Sequence, residues 1–204
     1  MNYLKKFFGH LKTVLTHKRW VFYYTSRLGY GWRGNVHDLS MFSPVEFFEG
    51  VKYWTGNRSP ILSAKDDRGF SMAWLHHKGR NKHHYEYWVD KFDEGGIPVK
   101  IPFKYVIEMV CDWLSAYRTY SGTGEFLFRK EYEWWCSKQN SLVLQKETKW
   151  LIYKILWNLY GYWAAHGDWS EKRILNQISQ FLPYWKKLYE EGDILDSKLL
   201  EYEI

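Results

Sequence analysis

Seven of the eight histidines in this 204-residue chain fall before residue 85, and four of them form two adjacent pairs, His76-His77 and His83-His84. Neutral imidazole is the commonest biological metal ligand. His77 and His84 are expected on successive helices, or at the end of one and the start of the next, so a tight turn at Gly79 to Asn81 can face both inward. Histidines beside Trp74, Tyr87 and Trp88 are costly to bury unless each nitrogen finds a partner, and a metal ion supplies one. His37-Asp38 adds another imidazole and a carboxylate. Adjacent side chains on a helix diverge by about 100°, so this pair can reach two neighbouring ions, or one residue can ligate while the other contacts a supporting group. Glu108 and Asp112, four residues apart, share a helix face inside an otherwise apolar run. Such carboxylates either face water together or aim at a cation.

Nitrogen and oxygen donors without thiolates suit Mn²⁺, Fe²⁺, Mg²⁺, Co²⁺, Ni²⁺ or Zn²⁺, as one ion or two, and do not suit a structural zinc of the cysteine type. A divalent ion with an open position lowers the pKa of water and makes hydroxide available at neutral pH. The chemistry expected is therefore metal-assisted hydrolysis.

The elements that must deliver these groups are helical. Leu4, Phe7, Phe8, Leu11, Val14 and Leu15 recur at three and four residues, which predicts one helix over 3–28. Gly29, Gly31 and Gly34 are expected to break the chain before the segment carrying His37 and Asp38. Ser43-Pro44-Val45-Glu46 reads as a capping box with proline at the first helical position, opening a helix to about Trp54. Residues 55–65 read as a polar loop. Asp66 or Asp67 can cap a helix carrying His76 and His77, and Asn81 can cap another carrying His83 and His84. A loop at Gly95-Gly96 and Pro98 precedes a strongly periodic helix from Pro102 to Tyr120. A Gly-rich turn at Ser121 to Gly124 and helices near 125–137, 146–165 and 170–190 complete the pattern. Strand signals are weak, so the fold expected is all-α, with about seven to eight helices in a single domain. Residues 10–120 would hold the metal-site half, and about 125–204 a packing extension.

Composition limits the partners. With 46% apolar residues and no run of about 18, a membrane span is not expected. Met1 to Phe8 reads as a helix start and not as a signal peptide. Aromatics reach 21%, and such rings fill cores, wall pockets or stack on bases. The net charge of +6 comes from scattered cations, which permits nucleic-acid binding without indicating it. Lys5, Lys6, Lys12, Lys18 and Arg19 form a basic stripe that reads first as a solvated helix face. Cys111 and Cys136 show no disulfide or thiolate-site pattern, so the reducing cytoplasm is the expected compartment.

The order His17, His37-Asp38, a middle set of histidines and then Asp112 resembles the HD-domain superfamily of metal-dependent phosphohydrolases. The local strings are closer to an uncharacterised phage and bacterial family with the pattern His-Asp-Leu-Ser-Lys-Phe-Ser-Pro, Ala-Trp-x-His-His, Arg-Asn-Pro-His-His and Glu-Met-x-x-Asp-Trp. In this chain those strings are His37 to Pro44, Ala73 to His77, Arg80 to His84 and Glu108 to Trp113. Met41 stands where both families usually have lysine, and Lys82 where the second tends to have proline. The superfamily resemblance implies an HD-like helical bundle that hydrolyses phosphate esters, often of nucleotides. It implies that His17, His37, Asp38 and Asp112 hold one ion, and that His77 with His83 or His84 holds a second.

The expected activity is thus hydrolysis of a nucleotide or other small phosphate ester. Asp38 and Glu108 are the expected catalytic carboxylates, Glu108 being an extra ligand or the base that orients water. Lys78, Arg80 and Asn81 are expected around the phosphate, with Trp74 and Tyr87 stacking on a base. The alternative is a non-catalytic interaction protein of phage type, in which the His/Asp cluster only fixes the helical core.

Overall fold

Asn2 opens the first helix by accepting the Lys5 N–H at 2.9 Å. In the computed structural model, which describes residues 2–121 and 127–192, this helix is α1, Tyr3–Arg27. His10, Val14, His17, Val21 and Tyr24 recur at helical spacing and make its inward stripe, buried except for a small exposed part of His17. Gly29, with φ of 82°, turns the chain out of α1, as expected. Gly31 and Gly34 do not break it, because both lie within α2, Gly31–Val36. Gly34 is instead a close-approach position. A Cβ there would overlap Thr25 Oγ1 and lie 2.7 Å from Phe22 Cα in α1.

Helix α3, Pro44–Tyr53, starts as its capping box predicts, with Ser43 Oγ accepting the Glu46 N–H at 3.5 Å. The polar loop expected at 55–65 ends early. Ser59 and Pro60 open α4, Pro60–Arg68, so Asp66 and Asp67 fall in its last turn and cap nothing downstream. Polarity hid that start. Helix α5, Met72–Lys78, is capped by Ser71, whose Oγ accepts the Trp74 N–H at 3.0 Å. Glu49 reaches across from α3 and accepts the N–H groups of Met72 and Ala73 at 3.3 and 3.1 Å. No α-helix begins at Asn81. His83 and His84 lie in a turn followed by a 3₁₀ turn, Tyr85–Trp88. The Gly95-Gly96 loop closes a small antiparallel hairpin of β1, Val89–Asp90, and β2, Ile97–Pro98, with Val89 opposite Pro98.

Helix α6, Phe103–Ser121, is buried on nearly every side from Phe103 to Ser115. Helices α7 (Leu127–Lys138), α8 (Lys146–Ala165) and α9 (Glu171–Glu191) follow close to the expected bounds. Of the turn expected at 121–124 and the start of the helix expected at 125, all but Ser121 lie outside the described residues. Tyr24 of α1, Ile107 and Val110 of α6, Leu151 and Ile155 of α8, and Ile174 and Ile178 of α9 join one buried cluster. Each such aliphatic side chain contributes about 1.5–3 kcal/mol by leaving water. Helix α3 packs on α1 and carries α4 and α5 with it. The fold is all-α, with nine α-helices among the described residues. Helices α2 and α4 are additional to the expected set, and the Asn81 helix is lost from it. No helix among them is long and apolar enough to cross a membrane.

Candidate metal centre

Four separate stretches meet between α1, α5 and α6. His17 comes from the inward stripe of α1, and Asp112 from α6, and His17 Nε2 lies 2.9 Å from Asp112 Oδ1. His37 and Asp38 are not on a helix, as the 100° argument assumed. His37 ends α2 in an extended conformation, and Asp38 follows with φ of 52° in the left-handed region. Asp and Asn are the non-glycine residues that tolerate this region best. The turn points the two side chains inward together: His37 Nε2 is 3.1 Å from Asp38 Oδ2 and 3.7 Å from Asp112 Oδ1. On the other side of the same carboxylate, Asp38 Oδ1 is 3.3 Å from both His77 Nε2 and His83 Nε2. His84 completes that side, its ring 4.7 Å from His77 and 4.2 Å from His83.

These atoms form two ligand sets that share Asp38. His17, His37, Asp38 and Asp112 make one, and Asp38, His77, His83 and His84 the other. Within each set one ligand atom per residue lies within 4.8 Å of all the rest, so each can hold a metal ion. The hydrogen bonding fits the same reading. His37 Nε2, Asp38 Oδ1, His83 Nε2 and His84 Nε2 are all buried without a hydrogen-bond partner. Leaving a buried polar atom unsatisfied costs about 1–3 kcal/mol, and folded proteins rarely concentrate four in one place. One ion in each ligand set would satisfy all four.

The electrostatics of the carboxylates point the same way. Burial disfavours charge on Asp38 and Asp112. Around Asp38, however, His37, His77 and His83 outweigh burial, and around Asp112 His17 and His37 do, so both carboxyls stay well below the usual range. Burial also opposes a proton on His37 and His77, but the carboxylates they face win and raise both. His84 goes the other way, pushed well down by burial and by its neighbours His83 and His77. Rings this close cannot all carry charge. The carboxylates are thus already in the anionic state a metal ion requires, whereas His37 and His77 would have to release their protons to bind one.

Supporting carboxylates hold the imidazoles in place. Glu108 Oε1 lies 3.1 Å from His37 Nδ1 and 3.4 Å from His83 Nδ1. Burial is outweighed by those two histidines, and the Glu108 pKa sits at about 2. Its other oxygen accepts from Arg33 Nε at 2.8 Å and pairs with Nη2 at 2.7 Å. Glu46 does the same for His77, with Oε2 2.7 Å from Nδ1, while its Oε1 lies 2.5 Å from His76 Nδ1. Such partners fix the tautomer, so that each Nε2 is left for the ion, and removing one typically costs about 10–100-fold in metal affinity. Sequence reading missed Arg33 and saw in Glu46 only a capping residue. It placed Lys18 in a basic stripe, whereas Lys18 Nζ donates to the His37 carbonyl and secures the turn before Asp38. Arginine, lysine and glutamate at helical spacing look like a solvated surface, and only the fold turns these three inward.

A cavity of about 170 Å³ opens beside both ligand sets, with His17, Asp38, His77, His84 and Asp112 on its wall. Trp74 also lines it, stacked near His77 with ring centroids 5.9 Å apart. Lys78, Arg80, Asn81 and Tyr87 do not line it. Arg80 and Tyr87 are exposed, and Asn81 donates to the His77 carbonyl and to Ser40 Oγ at 2.9 and 2.8 Å, bracing the turn that carries His83. His10 is also buried on the cavity wall, with its Nδ1 unpartnered.

Fold and site together define an all-helical protein whose buried histidine–carboxylate cluster can hold a metal ion. The chain belongs to the family of unknown function DUF5662, whose sequence profile matches residues 6–158 and so spans every candidate ligand. No curated protein and no solved structure matches the chain.

Proposed function

We propose that this protein is a metal-dependent hydrolase of phosphate esters, with its reaction centre at Asp38. The observation that carries the reading is the shared carboxylate: two ligand sets meet on Asp38, four of their buried ligand atoms make no hydrogen bond, and a cavity opens beside them. Divalent ions held there would supply a lowered pKa for water and positive charge for a phosphoryl group. The imidazole-rich second set favours Mn²⁺, Fe²⁺, Co²⁺, Ni²⁺ or Zn²⁺ over Mg²⁺, which prefers oxygen donors. The order of the ligands along the chain, resembling that of the HD-domain phosphohydrolases, agrees with this chemistry.

Each residue then has a role that its contacts support. Asp38 and Asp112 bring the negative charge that retains the ions. Glu108 and Glu46 hold His37, His83 and His77 with Nε2 facing inward. Glu108 serves as a positioning group and not as a base, because Arg33 and two imidazoles already occupy its oxygens. A neutral His84 on the cavity wall can hydrogen-bond water or ester oxygen if it is not ligating.

Protein purified with added Mn²⁺, Co²⁺ or Zn²⁺ should retain one or two ions per chain by elemental analysis and release phosphate from members of a phosphomonoester panel. Asp38→Asn keeps a residue suited to the left-handed turn, so the fold should persist by circular dichroism while turnover drops by about 10³-fold or more. Turnover close to that of the parent in this variant would sink the proposal. Bound ions with no turnover on any ester would assign the cluster to stabilising the helical core instead.

A further inference from the structure

The cavity beside the ligands has walls unlike those of a nucleotide site. Away from the ligands it is lined mainly by Val14, Ile61, Ala73, Trp74 and Ala116; the hydroxyls of Thr13, Ser59 and Tyr120 also border it, Thr13 bonded to Gly9 and Trp54 and Tyr120 to Ser59, and no lysine or arginine among the described residues reaches it. Its remaining acids add negative charge, and both are committed. Glu46 binds His76 and His77, while Glu49 pairs with Arg68 and with the start of α5. A nucleoside di- or triphosphate would bring several negative charges and a polar base into a space offering no cation beyond the ions themselves. Burying such groups without partners is costly. The volume, about 170 Å³, is close to the roughly 150 Å³ of an apolar protein cavity that admits one benzene molecule.

Resting on the hydrolase reading, we propose that the substrate carries a single phosphate ester and a compact, uncharged, largely apolar group that fills this cavity. The group is the size of one ring or a short alkyl chain. His10 adds an uncommitted polar atom. It is 4% exposed, its Nδ1 has no partner, and its ring lies over Gly50, where any Cβ would overlap it. Burial holds its pKa near 4, so it is neutral at pH 7. A neutral imidazole there suits one hydroxyl or carbonyl on an otherwise apolar group.

The test uses phosphonates, which bind as esters do but are not hydrolysed. Protein loaded with Zn²⁺ or Co²⁺ is titrated calorimetrically with methyl-, propyl-, butyl- and phenylphosphonate and with AMP and ADP. Each added methylene should tighten binding by about fourfold until the cavity is full. Phenylphosphonate should bind at least tenfold more tightly than AMP or ADP. Ala116→Leu narrows the cavity and should reduce the butyl-to-methyl affinity ratio at least fivefold, whereas Ile61→Ala should move the optimum to a longer chain. Circular dichroism of both variants checks that they fold. Equal affinity along the alkyl series, or tighter binding of AMP or ADP than of phenylphosphonate, overturns the assignment, as does no phosphonate binding at all. The parallel turnover panel separates the two claims. Preferred hydrolysis of nucleotides leaves the hydrolase standing and removes the apolar group. Graded phosphonate binding with no turnover of the matching esters supports the cavity assignment and removes the hydrolase.

Discussion

Single residues in this protein show how far environment overrides chemical type. Glu108, Glu46 and Glu131 are all buried glutamates, yet only the first two face histidines. Glu131 in α7 has its pKa pushed up to about 8, first by burial and then by the charge of Asp112. It therefore keeps its proton in the folded chain across a range where the unfolded chain has lost it. The folded form binds the extra proton, so stability falls as pH rises. The contribution is complete below about pH 4.5 and is gone once pH passes about 8. Glu131→Gln, which cannot ionise, should remove this slope. Urea midpoints measured from pH 5 to 8.5 should show the variant gaining on the parent as pH rises, by at most about 1.4 kcal/mol per unit. Parallel curves for the two proteins would mean that Glu131 is already ionised at neutral pH.

At the level of elements, the short pieces are the exacting ones. Helix α2 has six residues, too few to be stable alone. It is held by contact with α1, and Gly34 makes that contact possible. Gly34→Ala puts a methyl group against Thr25 and the Phe22 backbone, where no flexible side-chain end can yield. The expected result is a loss of about 1–3 kcal/mol in stability together with weaker metal binding, because α2 leads directly into His37. Calorimetric unfolding and a metal titration of the same sample would read both, and an unshifted midpoint would contradict the close packing. The long elements were legible because burial writes a period into them: the stripe of α1 and the apolar run of α6 lie close to where periodicity put them. Helices α2 and α4 were not, since glycine and polar residues carry the opposite local preference and only tertiary contact overrides it. The histidines were visible as residue types. That Asp38 would join two ligand sets depended on a left-handed turn, and no spacing rule expresses that. Lys18, Arg33 and Glu46 escaped for a related reason: nothing in their spacing shows that a neighbouring segment covers them.

For the whole molecule, the site is a junction between two bodies of packing. Helices α6, α8 and α9 form the larger apolar core, while α3, α4 and α5 are fastened to α1, and ligands enter from both sides. An ion bound at the junction links the two, so metal should stabilise the entire fold. At a free concentration of about 100 times Kd, the gain is about 2.7 kcal/mol. For a chain of this size that raises Tm by roughly 5–10 °C. Differential scanning calorimetry with Zn²⁺ or Mn²⁺, then with a chelator, should show that rise and its reversal. A Tm indifferent to both would place the ligands in a cluster that holds nothing.

The spread of the ligands along the chain also sets an order of assembly. During synthesis the imidazoles from His17 to His84 leave the ribosome well before Asp112, and before α8 and α9, which wall in the helix that bears it. A nascent chain thus presents all of the second ligand set, Asp38 with His77, His83 and His84, while Glu108 and Asp112 have yet to emerge. The first set, which needs Asp112, would therefore gain any ion only once α6 has been made and packed, later in assembly than the second.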